Sequence, residues 1–244
     1  MQLTPLRSKS FKIYYLSEKA LTLEFGNEIN EGTSLKINRF HSILKIFPFE
    51  GLLAVVPAYT TLSIFYDPVT VIGSKSLSGL DCFERISDYL VEIESKDQEI
   101  ETREGEMISI PVYYGGEQGP DLQAVAEHTK LSPEEIISLH SSAAYRVYMI
   151  GFTPGFAYLG GMPEQLATPR KTTPARAVSA GSVGIAGVQT GIYPLTSPGG
   201  WQIIGQTPLK LFDANRSNPT LVKAGDTVKF SAVSLEEFNH LKQS

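Results

Sequence analysis

Residues 180–206 read AGSVGIAGVQTGIYPLTSPGGWQIIGQ, and the punctuation of this stretch decides the fold class. Apolar, β-prone pieces, Val183–Gln189 and Trp201–Gln206, are cut by glycine and proline before either reaches helical length. The same texture extends on both sides: residues 151 to 205 hold 11 of the 21 glycines and 6 of the 15 prolines. Further strand candidates lie at Met107–Tyr114, Tyr145–Ile150, Leu209–Phe212 and Thr227–Phe230. Many short strands broken by such turns predict a closed β-barrel. Helices are expected at Asp121–His128 and from Ser132, where an N-cap serine, Pro133 and Glu135 agree on a start, to near His140. Ser234 with Glu237 predicts the cap of a terminal helix.

Upstream the period changes. Phe11–Leu16, Ala20–Phe25, Leu52–Pro57 and Thr61–Tyr66 read as strands. Ile37, Phe40, Leu44 and Phe47 recur at helical spacing between a cap at Asn30 and a stop at Pro48. Phe83, Ile86, Leu90 and Ile93 do the same after Ser78, which with Asp81 resembles a capping box. Two helices on one face of a small sheet bury both stripes. The acidic run from Glu94 to Glu106 reads as a linker. The expected organisation is an α+β domain over residues 1–105 followed by a mainly-β barrel over residues 106–244.

Composition narrows the function. Hydrophobic residues at 42% and charged residues at 19% are those of an ordinary globular protein. No apolar run approaches the roughly 18 residues that cross a bilayer, and Met1 to Ser10 lacks the apolar core of a signal peptide. A lone Cys82 excludes an internal disulfide and suits a reducing cytoplasm. A net charge of -5 argues against nucleic acid as a partner. The average conceals an asymmetry: between Ser141 and Phe212 the sole carboxylate is Glu164, against Arg146, Arg170, Lys171, Arg176 and Lys210. That region can receive a small anion.

The run Gly151-Phe152-Thr153-Pro154-Gly155-Phe156-Ala157-Tyr158-Leu159-Gly160-Gly161 admits two readings. Glycines let backbone approach a ligand, prolines stiffen it and aromatic rings wall it; alternatively, a barrel corner fills its core with those rings. The cations at Arg170, Lys171 and Arg176 favour the first, since guanidinium matches a carboxylate or phosphate with paired hydrogen bonds. Arg146 and Tyr148 fall on one face of a strand. His140 is either an acid–base group or a structural donor at a helix end. Ser197-Pro198-Gly199-Gly200-Trp201 is an anchor or a lid. Ser182 stands in a small-residue variant of the nucleophile elbow, but strand rather than helix follows it, which rules the elbow out. No Walker A run, dinucleotide fingerprint or Cys/His metal spacing occurs.

Arg146 through Gly161, Ala180-Gly181-Ser182-Val183-Gly184-Ile185-Ala186-Gly187, Gln189-Thr190-Gly191-Ile192-Tyr193-Pro194 and Ser197 to Trp201 resemble the signature of the allophanate hydrolase subunit 1, or KipI, family. Val56-Pro57-Ala58-Tyr59, Ile110-Pro111-Val112-Tyr113-Tyr114, Gly119-Pro120-Asp121-Leu122, Gly205-Gln206-Thr207-Pro208 and Gly225-Asp226 fall in the same order. The resemblance implies an N-terminal domain of ferredoxin or DCoH type and a cyclophilin-like barrel. It implies the B subunit of an ATP-dependent 5-oxoprolinase, inactive alone, acting with a directly bound C subunit and an A subunit to convert 5-oxo-L-proline to L-glutamate. Two alternatives are an inhibitor of a sporulation-type histidine kinase and a subunit acting on another amide or urea-derived substrate. ATP is then a co-substrate of the complex, and no metal is expected. The catalytic positions it suggests are His140 for proton transfer, and Arg146, Arg170 and Arg176 for anionic charge. Its substrate-binding positions are Tyr148, Gly151, Phe152, Pro154, Gly155, Phe156, Tyr158, Tyr193, Gly199, Gly200 and Trp201. The sequence departs from the family where Pro174 is followed by Ala175, Arg176 is displaced by one, and Ala177 and Ser179 replace an arginine and a proline.

Overall fold

The computed structural model describes residues 6–8, 10–95, 105–151 and 153–243. They fall into two units, Met1–Glu104 and Gly105–Ser244. Residues 96–104, most of the expected linker, lie outside the described residues.

In the first unit, strands β1 (Leu6–Arg7), β2 (Lys12–Ser17), β3 (Ala20–Glu24), β4 (Leu52–Pro57) and β5 (Thr61–Tyr66) form one antiparallel sheet in the order β1-β2-β3-β5-β4. Their two-residue period sends Ile13, Leu21, Leu23, Leu62 and Ile64 into the core, while Thr22 and Ser63 meet on the other face. Helix α1 (Glu31–Ile46) starts where the Asn30 carboxamide oxygen accepts from Thr33 N at 2.9 Å, and it buries Ile37, Phe40, Ile43 and Leu44. Helix α2 (Pro68–Gly73) is an addition that periodicity did not reveal, because six residues are too few to show a stripe; Asp67 caps it and Pro68 opens it. Helix α3 (Cys82–Glu94) is capped by Asp81 and not by Ser78: Asp81 accepts from Glu84 N at 2.8 Å, and the Glu84 carboxylate reaches back to Leu80 N at 2.6 Å.

The second unit contains β6 (Met107–Tyr114), β7 (Ala144–Ile150), β8 (Ala157–Gly160), β9 (Ala175–Val178), β10 (Ser182–Ala186), β11 (Gln189–Ile192), β12 (Ser197–Gly199), β13 (Gln202–Gln206) and β14 (Thr227–Ala232). Seven of these close a barrel in the order β10-β11-β8-β7-β14-β6-β13, with β13 returning to β10. The other two, β9 and β12, pair as a separate ribbon outside the barrel. All ladders are antiparallel except β14 with β6. The expected strand Val183–Gln189 is in fact a hairpin. Gly187, at φ 59, and Val188 turn β10 back into β11 with Ala186 opposite Gln189. Leu209–Phe212 is not a strand, and Phe212 makes only an isolated bridge to Thr220. Helices α4 (Leu122–Thr129), α5 (Pro133–Ser142) and α6 (Leu235–Gln243) complete the unit; α5 carries the full Ser132–Glu135 capping box. Inward positions, among them Ile110, Val112, Val147, Leu159, Val183, Ile185, Ile192, Ile204 and Phe230, fill the interior.

Candidate functional site

The outward positions of β8, β10 and β11 are unusual for having glycine where a side chain would normally stand. Gly160, Gly184 and Gly191 alternate with the inward Leu159, Val183, Ile185 and Ile192. A Cβ on Gly160 would overlap the Tyr148 ring, and one on Gly191 would lie 2.9 Å from the Trp201 ring. One on Gly184 would meet Trp201 Cβ at 3.1 Å. Bare backbone therefore seats aromatic rings on the outside of the barrel. Phe156 meets Tyr193 and Trp201 edge-on, with centroids 5.3 and 5.5 Å away, and Tyr158 at 4.8 Å. With Val178, Ala186 and Ile203 these rings form a second small core. Phe156, Tyr193 and Trp201 are buried, so most of each ring is structural; Tyr158 and Tyr148 are half-buried.

The turn from Gly151 to Phe156 is closed on itself. Gly151 N donates to Phe156 O at 3.0 Å, Thr153 N to Gly151 O at 2.8 Å and Phe156 N to Thr153 O at 3.0 Å. Those three N–H groups are spent within the turn and are not free to cradle a phosphate. Gly155, at φ 83, is buried against Phe212 and Pro194, while Pro154 is exposed. Phe152 lies outside the described residues. Gly199 makes room for the Tyr193 hydroxyl, which a Cβ there would overlap, and Gly200 O accepts from Lys171 N at 2.7 Å. Gly199 therefore serves internal packing, while a Cβ on Gly200 would meet nothing closer than 3.6 Å.

Arg170 lies over the Trp201 ring at 6.0 Å, in cation–π range. The segment carrying it is held on both sides, by Lys171 N to Gly200 O and by Gln202 Nε2 to Pro169 O at 3.1 Å. Burial raises the phenol pKa of Tyr158 and Tyr193, and the Arg170 charge only partly offsets this, so both remain protonated donors. Arg146 shares the outward face of β7 with Tyr148, between the inward Tyr145 and Val147. Its Nε is buried without a hydrogen-bond partner. Arg176 is exposed on β9. Among the described residues, Arg146, Arg170 and Arg176 have no carboxylate partner, whereas Lys171, Lys210, Arg216 and Lys223 each do.

His140 departs from the sequence expectation. It is wholly buried in the barrel interior, with Nδ1 2.8 Å from Tyr114 Oη, Nε2 2.9 Å from Thr190 Oγ1 and its ring stacked on Phe230 at 4.6 Å. Burial lowers its pKa to about 3. A group that stays neutral near pH 7, with both nitrogens engaged and no exposed surface, is not placed for proton transfer to a ligand. Conversely, sequence reasoning misses Asp121 as part of the site. It caps α4 in sequence but its Oδ2 lies 2.5 Å from Lys171 Nζ and accepts from Ile203 N at 2.7 Å. Its place in the Gly119–Leu122 motif is the available signal. Among the described residues, no cluster of His, Cys, Asp and Glu is arranged to hold a metal ion.

The family model for the carboxyltransferase domain, subdomain C and D, matches residues 11–222. The chain is 43% identical over 237 residues to the B subunit of 5-oxoprolinase from Bacillus subtilis, covering 96% of this chain and 97% of that one. It is 50% identical over 187 residues to the protein of the same name from Haemophilus influenzae, covering 77% and 82%. Among solved structures, that of TTHA0988 superposes with a TM-score of 0.74 at 36% identity, covering 88% of this chain and 40% of that longer one.

Proposed function

The chain belongs to the carboxyltransferase subdomain C and D family, and from that premise we propose that it acts as the B subunit of an ATP-dependent 5-oxoprolinase. With A and C subunits it opens 5-oxo-L-proline to L-glutamate in the cytoplasm, the C subunit being its direct partner. The finer fold reading belongs to the same proposal: the barrel is cyclophilin-like, and β3, α1, β4 and β5 trace a ferredoxin-like path.

One observation carries the proposal: the Arg170 guanidinium, without a carboxylate partner among the described residues, lies over the Trp201 ring on the outward aromatic face. The substrate is a carboxylate on a small lactam ring. Arg170, over Trp201, takes that carboxylate while the half-buried Tyr158 meets the ring. ATP-driven opening puts negative charge on the lactam oxygen, and fixed cations and protonated phenols stabilise such charge most in a partly dry site. Arg146 and Arg176 supply the cations, and Tyr158 a donor. ATP is a co-substrate bound elsewhere in the complex. His140 takes no part.

The test is a reconstituted assay with A and C subunits. Leaving this chain out should abolish ATP-dependent turnover of 5-oxoproline. Arg170→Ala should lower kcat/KM roughly a hundredfold, the scale of losing one charge-assisted contact to a developing anion. Turnover that persists without the chain would sink the proposal.

A further inference from the structure

We infer that Asp121 tunes the aromatic face to a single carboxylate and against a polyphosphate, by neutralising Lys171 and fixing the segment that carries Arg170. The inference rests on the reading of this face as the 5-oxoproline site. Arg170 and Lys171 are consecutive, and a pair of adjacent free cations would suit a phosphate chain. The structure removes one of them: Lys171 Nζ is 2.5 Å from Asp121 Oδ2, both side chains being largely sheltered, at 24% and 16% exposure. A sheltered pair of this kind is screened far less than a surface pair. Of the two, Arg170 alone is left without a carboxylate among the described residues, over Trp201.

Position follows from the same carboxylate. Asp121 Oδ2 accepts from Ile203 N at 2.7 Å and Asp121 N donates to Ile203 O at 2.9 Å, so this acid is bolted to β13 two residues beyond Trp201. Through Lys171 it holds the strand of chain whose main chain is also tied to Gly200. Platform and cation thus hang from one carboxylate. A nucleotide triphosphate, with three to four negative charges, would need several free cations and a row of free amides. Here the turn at Gly151 has spent three of its amides, those of Gly151, Thr153 and Phe156, and Lys171 its charge. The ligand class that fits is a small ring bearing one carboxylate. Asp121 is accordingly a positioning and specificity-determining residue that touches Lys171 and not the ligand.

Trp201 is the chain's sole tryptophan, so its fluorescence reports occupancy of this face without turnover. The full chain, free and with the C subunit, is titrated with 5-oxo-L-proline, with 2-pyrrolidinone (the same ring without the carboxylate) and with inorganic tripolyphosphate. Expected for the unaltered chain is a saturable response to 5-oxoproline, none to pyrrolidinone, and binding of tripolyphosphate at least tenfold weaker. Asp121→Asn keeps an oxygen for Ile203 N and frees Lys171; preference should shift at least tenfold towards tripolyphosphate. Lys171→Met leaves Asp121 uncompensated and unties the segment that carries Arg170, and should weaken 5-oxoproline binding at least threefold. The double variant should return to the original selectivity, the signature of a coupled pair. In the reconstituted complex Asp121→Asn should raise KM for 5-oxoproline more than it lowers kcat. A response to 5-oxoproline with selectivity unmoved by both single variants overturns the inference alone. No response in either the free chain or the complex overturns the site reading and the inference with it.

Discussion

His140 shows how much one side chain's surroundings decide. The Thr190 hydroxyl donates to Gly184 O at 3.0 Å, so at 2.9 Å it must accept from His140 Nε2–H; Nδ1 is then bare and accepts from Tyr114. This neutral chain of bonds spans the barrel interior. Because the pKa falls from 6.5 to about 3 on folding, the unfolded chain binds a proton across that interval and the folded one does not. Stability is therefore full above pH 6.5 and is lost as pH falls, by about 2 kcal/mol at pH 5. His41, lowered to about 4 by burial and then by Lys45, adds in the same direction within the first unit. Urea unfolding followed at Trp201 should show the midpoint dropping between pH 7 and pH 5. His140→Gln should lower the pH 7 stability by about 2 kcal/mol and flatten the drop; an undiminished pH slope in that variant would refute the assignment. The glycine seats make a second prediction. Gly191→Ala should displace the Trp201 ring and shift its emission to the red, whereas Gly160→Ala, acting on Tyr148, should leave that emission unchanged. Each should cost about 1–3 kcal/mol by overpacking.

Elements were legible where local chemistry marks their ends. Asn30, Ser132 with Pro133 and Glu135, and Ser234 with Glu237 cap the helices they were expected to cap. β4, β5 and β6 have the bounds their composition indicates. The β10–β11 hairpin was not separable because Gly187-Val188 interrupts an apolar run without any polar turn residue. Short α2 and the segment after it are held by a partner no window shows: Arg85, from α3, donates through Nη1 to the carbonyls of Val71 at 3.3 Å and of Ser74 and Leu77, both at 3.1 Å, and through Nε to Gly79 O at 3.0 Å. Arg85→Met should therefore cost about 2–3 kcal/mol, since it strips charge-assisted donors from carbonyls that are partly buried. Hydrogen exchange should quicken in residues 71–79 while β2 to β5 stay protected. Uniform acceleration across the first unit would contradict the clamp.

Charge is where distant parts of the chain matter most. Five cations crowd the stretch from Ser141 to Phe212, yet Lys171 and Lys210 are neutralised by Asp121 and Asp213, which lie outside it. The three guanidinium groups of that stretch remain, with no carboxylate among the described residues to hold them. Arg170→Ala and Arg176→Ala, both at exposed positions, should hence leave the unfolding free energy within about 0.5 kcal/mol of the parent while impairing turnover. Asp226→Ala should do the opposite. Its buried carboxylate accepts from Glu106 N at 3.1 Å and Lys223 N at 2.9 Å, so removal orphans two amides and costs about 2–4 kcal/mol. Comparing the unfolding midpoint with kcat/KM across the three variants separates the two roles.

The α+β and barrel classes, the helix starts and the abundance of aromatic and cationic residues in the second half could all be read from order along the chain, because period, caps and turn residues act over a few positions. Which glycines seat rings, which cations stay free and whether His140 meets solvent could not. Those properties depend on barrel closure, which brings Gly191 beneath Trp201, Asp121 to Lys171 and Thr190 to His140 across 10, 50 and 50 positions of sequence. Desolvation and ion pairing respond to distance in space, and sequence separation carries no measure of it.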